Sequence, residues 1–273
     1  MSSDNQPWLK QVLADAKTSS QSRPKFQISR ALRFAQYAKQ AYSDGPGVIN
    51  LMPRRDVQCA VIREPKKVIF AFRGTTDLPG WLIDADIRFR RYRPAAHWFE
   101  RGTKIHEGFY IDVDMIWPEL APIAAQAAID GYGIDVTGHS KGGGEALPFA
   151  YRLAKERHIL VNQVITFGGP RVFNRAGAEE YDSLGIPTLR VIDEDDLVCR
   201  IPWRLGLYRH VGTSAFIDAW GNIALNEPWY AHVPSDVTAI ISEWRSHHGI
   251  APATDHAIDR YIARLEKAVL VFG

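Results

Sequence analysis

Cysteine is scarce: Cys59 and Cys199 are the only two in 273 residues. Neither has a C-x-x-C partner, so the chain has no disulfide framework and no cysteine-built metal site. Both read as reduced, small core residues. Long apolar runs are missing too, so no membrane-spanning helix is expected. Neither sign of charge dominates, with Lys plus Arg at 33 and Asp plus Glu at 31. Net charge therefore points to neither nucleic acid nor a membrane surface. The local run Arg88, Arg90, Arg91 and Arg93 reads as a solvated face. Residues 1–22 lack an apolar h-region, so no Sec signal is expected, and the chain reads as cytoplasmic or exported by a signal-independent route. Repeats and low-complexity segments are absent as well.

What is present is a globular composition, 46% apolar and 23% charged. The length suits a single α/β domain over 1–273, with residues 1–24 a loosely packed extension. Helical spacing covers residues 28–42, 113–129, 145–156, 174–184, 235–247 and 254–270, the second despite Pro118 and Pro122. Strands are expected at 59–62, 68–72, 134–137, 161–167 and 188–192. Strands alternating with helices predict a mainly parallel sheet covered on both faces.

One stretch organises the chain. Asp135-Val136-Thr137-Gly138-His139-Ser140-Lys141-Gly142-Gly143 runs from a short strand into a helix, with Ser140 in a G-x-S-x-G spacing. That spacing marks a nucleophile elbow, a tight strand-to-helix turn presenting a serine hydroxyl. Glycine is needed where a Cβ would meet the neighbouring strand or helix.

A serine hydroxyl needs a base, and the base needs an acid to orient it. In a strand-elbow-helix hydrolase both follow the serine. Asp193-Glu194-Asp195-Asp196 closes a predicted strand. Four adjacent carboxylates cannot all be buried, and Asp196 is favoured because Leu197-Val198 would draw it inward. For the base, spacing ranks His256 first and His210 second, while His247 and His248 suit a helix end. The oxyanion hole would use the Lys141 amide and the Gly74-Thr75 loop after an early strand, each donor contributing about 3 kcal/mol.

These segments together resemble the class 3 lipases, the fungal-lipase-like α/β-hydrolases. The resemblance rests on Val68-Ile69-Phe70-Ala71-Phe72-Arg73-Gly74-Thr75, on His106-Glu107-Gly108-Phe109, and on Val136 to Gly143. It continues through Thr166-Phe167-Gly168-Gly169-Pro170-Arg171-Val172 with Asn174, and Arg190-Val191-Ile192 with Asp196 to Pro202. Tyr208-Arg209-His210-Val211-Gly212 and Asp255-His256 with Tyr261 complete it. The resemblance implies an α/β-hydrolase fold and a triad of Ser140, Asp196 and His256, with His210 a near neighbour. Thr75 and Lys141 would form the oxyanion hole. Residues 78–87 would be a short lid in which Leu78, Trp81, Leu82 and Ile83 meet substrate. It implies a serine carboxyl-ester hydrolase acting on a lipid or small ester, at a lipid-water interface, without cofactor or metal. Phospholipase A1 or acyltransferase chemistry is the alternative, followed by a non-catalytic binding module or a membrane-directed effector.

The chain departs from the family pattern at four places. Lys141 replaces the usual Leu, a run of three glycines followed by Glu145 replaces the usual Gly-Gly-Ala-x-Ala, Phe173 replaces Gly, and Cys199 replaces Pro. The signal sequence and disulfides of the secreted fungal members are not seen in this chain either.

Overall fold

The computed structural model describes residues 24–51, 56–75, 89–91, 102–193, 196, 198–200, 208–226 and 257–272. Helix α1 (Pro24–Gln40) leads into strands β1 (Val48–Asn50), β2 (Gln58–Glu64) and β3 (Lys67–Phe72). Strands β4 (Phe89–Arg91) and β5 (Lys104–His106) precede helix α2 (Glu107–Ile129) and strand β6 (Gly133–His139). Then come α3 (Lys141–Arg157), β7 (Gln163–Phe167), α4 (Arg175–Ser183), β8 (Thr188–Asp193), β9 (Thr213–Ile217), β10 (Ile223–Leu225) and α5 (Ile258–Phe272).

Eight of these strands form one sheet in the order β1-β2-β3-β6-β7-β8-β9-β10. The neighbours from β3 through β9 run parallel, and the pairs at both edges are antiparallel. β4 and β5 form a separate antiparallel pair. The parallel centre buries both faces, as its apolar runs require. On β3, Val68, Phe70 and Phe72 join the cluster packed under α2 and α3, whereas Ile69 and Ala71 join the one under α1 and α5. This split is the two-residue side-chain period of a strand. Phe149 of α3 lies with its ring 5.1 Å from Phe70, 5.2 Å from Phe72 and 5.7 Å from Trp117. Each such buried ring contributes about 2–3 kcal/mol by removing apolar surface from water.

The elements expected from periodicity within the described residues are present, with shifted ends. The largest shift is at α2, which begins at Glu107 rather than 113, capped by His106, whose Nδ1 accepts from the Gly108 amide at 3.2 Å. Pro118 and Pro122 both lie inside α2 and on its exposed side. The carbonyls they leave without a helical donor therefore face water, and the helix continues. The expected helix at 235–247 lies outside the described residues, as does the start of the one expected at 254–270. β1, β4, β5, β9 and β10 were not expected: four of them have three residues, too few to show an alternation, and β9 opens on Thr213-Ser214 after Gly212, which reads as a loop. No described helix is long and apolar enough to cross a membrane.

Candidate active site

β6 ends at His139, α3 begins at Lys141, and Ser140 is the single residue between them. Its backbone takes φ 57° and ψ −128°, a conformation L-residues rarely adopt. Three contacts hold it there: the Ser140 amide donates to the Phe167 carbonyl at 2.9 Å, and its carbonyl accepts from the amides of Gly143 at 2.9 Å and Gly144 at 3.2 Å. The flanking glycines are required by close approach. A Cβ on Gly138 would sit 2.2 Å from the Gly142 carbonyl oxygen, and one on Gly142 would sit 2.3 Å from that of Phe72. The elbow is thus pressed between β3 and its own helix.

Contrary to the exposed hydroxyl expected of an elbow, Ser140 is 1% exposed. Its Oγ has no hydrogen-bond partner among the described residues. Above it lies the loop that follows β3. A Cβ on Gly74 would come within 2.9 Å of the Ser140 Cβ, so this loop rests directly on the serine. Half-buried Thr75 is next in that loop. Tyr42 supports the same place: its hydroxyl is 2.6 Å from His139 Nδ1 and also meets the backbone of Gly74. Burial pushes this phenol well up, so it stays protonated. Nothing in the sequence marks Tyr42 for this contact, because it reads only as the end of an apolar helical stripe.

Asp196 is 1% exposed, in the turn after β8. One carboxylate oxygen accepts from the Val198 amide at 2.8 Å and the other from the Tyr261 hydroxyl at 2.5 Å. Burial, with the Asp196 charge beside it, pushes the Tyr261 hydroxyl well up and keeps it a donor. The Tyr261 ring also lies 6.0 Å from that of His139, so this one side chain of α5 touches both the elbow and the acid. Asp193 of the same acidic run is drawn inward as well. It is fully buried, with Arg260 at 2.9 Å and Arg264 at 2.8 Å. Two guanidiniums compensate its charge where water cannot.

The later histidines separate. His210 Nε2 donates to the Cys199 carbonyl at 2.7 Å, beside the acid turn. His256 lies outside the described residues, just upstream of α5, and so do Leu78, Trp81, Leu82 and Ile83.

The Lys141 side chain does not face out from the helix start. It is 5% exposed, with Nζ 3.0 Å from an Asp112 carboxylate oxygen of α2 and in contact with Glu145 Oε1 and the Asp56 carbonyl. Cys59 and Cys199 are buried thiols that are not joined in a disulfide. Among the described residues, no group of three or more His, Cys, Asp and Glu is placed to hold a metal.

The sheet, its two helical layers and this elbow are those of the α/β-hydrolase fold. They superpose on a solved lipase from Rhizopus microsporus var. chinensis with a TM-score of 0.67 at 25% identity, covering 76% of this chain and 83% of that one. A lipase of Rhizopus niveus is 30% identical over 169 residues, 59% of this chain and 42% of the relative. A chloroplastic phospholipase A(1) of Arabidopsis thaliana is 25% identical over 218 residues, 72% of this chain and 48% of the relative. The chain thus spans less than half the length of these two curated relatives. The family model for lipase (class 3) matches residues 69–205, a stretch that holds the elbow, the Gly74-Thr75 loop and Asp196. This chain belongs to the class 3 lipase family.

Proposed function

We propose that this chain is a serine carboxyl-ester hydrolase acting on acyl esters of lipids. Its triad is Ser140, His256 and Asp196, and the Thr75 and Lys141 amides are the oxyanion donors. The observation that carries this reading is a backbone-strained serine at the apex of the β6–α3 turn. Its buried Oγ has no partner among the described residues, and the Gly74 loop rests on it.

In this reading Ser140 Oγ attacks the ester carbonyl while His256 takes its proton. Asp196 keeps the imidazole oriented and stabilises its charged form. Asp196 is suited to this role because Val198 and Tyr261 hold both of its oxygens. His256 is supported by its place upstream of α5, whose Tyr261 reaches the acid. The carbonyl oxygen becomes negative as the tetrahedral intermediate forms. It needs fixed donors, and first-turn amides such as that of Lys141 have no partner within the helix. His256 then protonates the leaving alcohol, and water repeats the cycle on the acyl-enzyme.

A matched panel of triacylglycerols, phospholipids and short-chain esters tests the reading. Ser140→Ala should lower kcat by about 10⁴-fold or more. Activity that survives this change would overturn the assignment. Relatives named both lipase and phospholipase A(1) make phospholipid cleavage the second reading, and the same panel separates the two. The burial of Ser140 supports a cover over the site, the role expected of Leu78, Trp81, Leu82 and Ile83. Rates measured across a substrate's solubility limit should then rise as the emulsion forms, and a smooth saturation curve would count against interfacial activation.

A further inference from the structure

Lysine at the first position of the nucleophile helix is doubly unfavourable. Its charge opposes the positive end of the helix dipole, and its ammonium is taken out of water. Yet Lys141 is buried and its ammonium fully engaged. Glu145 holds it from one turn along α3, Asp112 holds it from α2 at 3.0 Å, and the Asp56 carbonyl holds it from the segment before β2. The Asp56 carboxylate in turn holds Arg73, which follows β3 and precedes Gly74 and Thr75. Arg73 is further pinned by its amide, which donates to the Gln58 carbonyl at 3.0 Å. A continuous path of polar contacts therefore joins Lys141, Asp56 and Arg73. Its two ends sit on the two segments that carry the proposed oxyanion donors.

We infer that the Lys141 side chain is a positioning group for the oxyanion hole: through Asp56 and Arg73 it locks the Gly74-Thr75 loop to the elbow. The inference rests on the proposed esterase reading. Well-packed apolar residues would stabilise this spot at least as well as a buried charge cluster, so stability does not explain the lysine. Geometry does. Oxyanion donors act only within about 2.7–3.1 Å of the developing charge. The Gly74 loop packs so closely on the elbow that an added Cβ would come within 2.9 Å of both the Ser140 Cβ and the His139 carbonyl oxygen, so a small slip would change the spacing between the two amides.

The cluster is also consistent in charge. Burial first, and then the neighbouring Asp112, push the Glu145 carboxyl well above the usual carboxylate range, although Lys141 pulls the other way. For Lys141, burial opposes the charge, but Glu145 and Asp112 outweigh it and raise the ammonium above its ordinary value. Among the described residues, the other titratable or charged groups facing Glu145 are Cys59 of β2 and Tyr42, with Asp56 and Arg73 at the far end of the path.

Lys141→Met and Arg73→Met cut the path at different links. Each should lower kcat by about 10- to 100-fold with KM nearly unchanged, less than the loss of a whole oxyanion donor. Affinity for a trifluoromethyl ketone, whose hemiketal oxyanion occupies the hole, should fall in parallel, whereas affinity for the matching methyl ketone should not. Lys141→Met leaves carboxylates buried without their cation and can fail to fold. The triple variant Asp112→Ala, Lys141→Met, Glu145→Leu replaces the cluster with apolar side chains and should fold while showing the same losses. Wild-type kcat in the folded triple variant, or a fall in kcat with unchanged trifluoromethyl ketone affinity, would overturn the positioning role. Labelling by a fluorophosphonate separates the two readings. A wild-type protein that is not labelled at Ser140 would overturn the esterase reading and this inference with it. Labelled wild type with a fully active triple variant overturns the inference alone.

Discussion

Ser140 carries a conflict between chemistry and stability. Its φ of 57° with ψ −128° suits glycine, and a serine there stores about 1–3 kcal/mol of backbone strain. Ser140→Gly should therefore raise the urea midpoint by about 1 kcal/mol of stability while abolishing ester hydrolysis. Unchanged or reduced stability would show that the hydrogen bonds around the elbow, not the residue type, set the energy of this turn. Lys141 shows the limits of reading a residue by its neighbours in sequence. In sequence it stands beside a serine at a helix start with Glu145 one turn on, but its two other acceptors come from 29 and 85 positions away, at Asp112 and Asp56.

At the scale of elements, the docking of α5 on β8 organises the acid side of the site. Asp193, at the end of β8, binds Arg260 and Arg264, and Arg264 also donates to the Ile217 carbonyl of β9 at 3.0 Å. Tyr261 lies between them, accepting from the Asp193 amide at 3.1 Å and donating to Asp196. Asp193→Ala would remove the buried carboxylate that Arg260 and Arg264 share and should cost about 3 kcal/mol. Amide hydrogen exchange should accelerate throughout α5, and kcat should fall with it. A loss of stability confined to β8 would argue against this docking. The sequence shows α5 clearly through its apolar spacing. It does not show which carboxylate of Asp193 to Asp196 goes to the arginines and which to the tyrosine, because adjacent residues differ only in how the turn directs them.

Over the whole molecule, the buried Lys141 cluster ties stability to pH. Burial raises the Glu145 carboxyl in the folded state, so above the ordinary carboxylate range the unfolded chain binds fewer protons there than the folded one. Stability then falls as pH rises from about 4.3 up to the raised folded value, by up to about 1.4 kcal/mol per pH unit for one proton. Glu145→Gln removes that proton and should flatten the slope, as measured by urea midpoints from pH 5 to pH 8. A variant with the wild-type slope would place the titrating group elsewhere.

Much of this protein is determined by sequence alone. Apolar spacing sets its helices and central strands, and their alternation sets a parallel sheet buried on both faces. The glycine spacing around Ser140 marks the elbow, because only glycine fits where backbone presses on backbone, as the 2.2 and 2.3 Å approaches at Gly138 and Gly142 confirm. These features depend on local periodicity and on residue size, which a sequence displays directly. The tertiary structure alone decides which side chains from distant segments share one buried volume. It brings Tyr42 to His139, Tyr261 to Asp196, and Asp56 and Asp112 to Lys141. A buried polar group must find a partner, and that partner is set by the packing of the sheet and its helical layers rather than by distance along the chain.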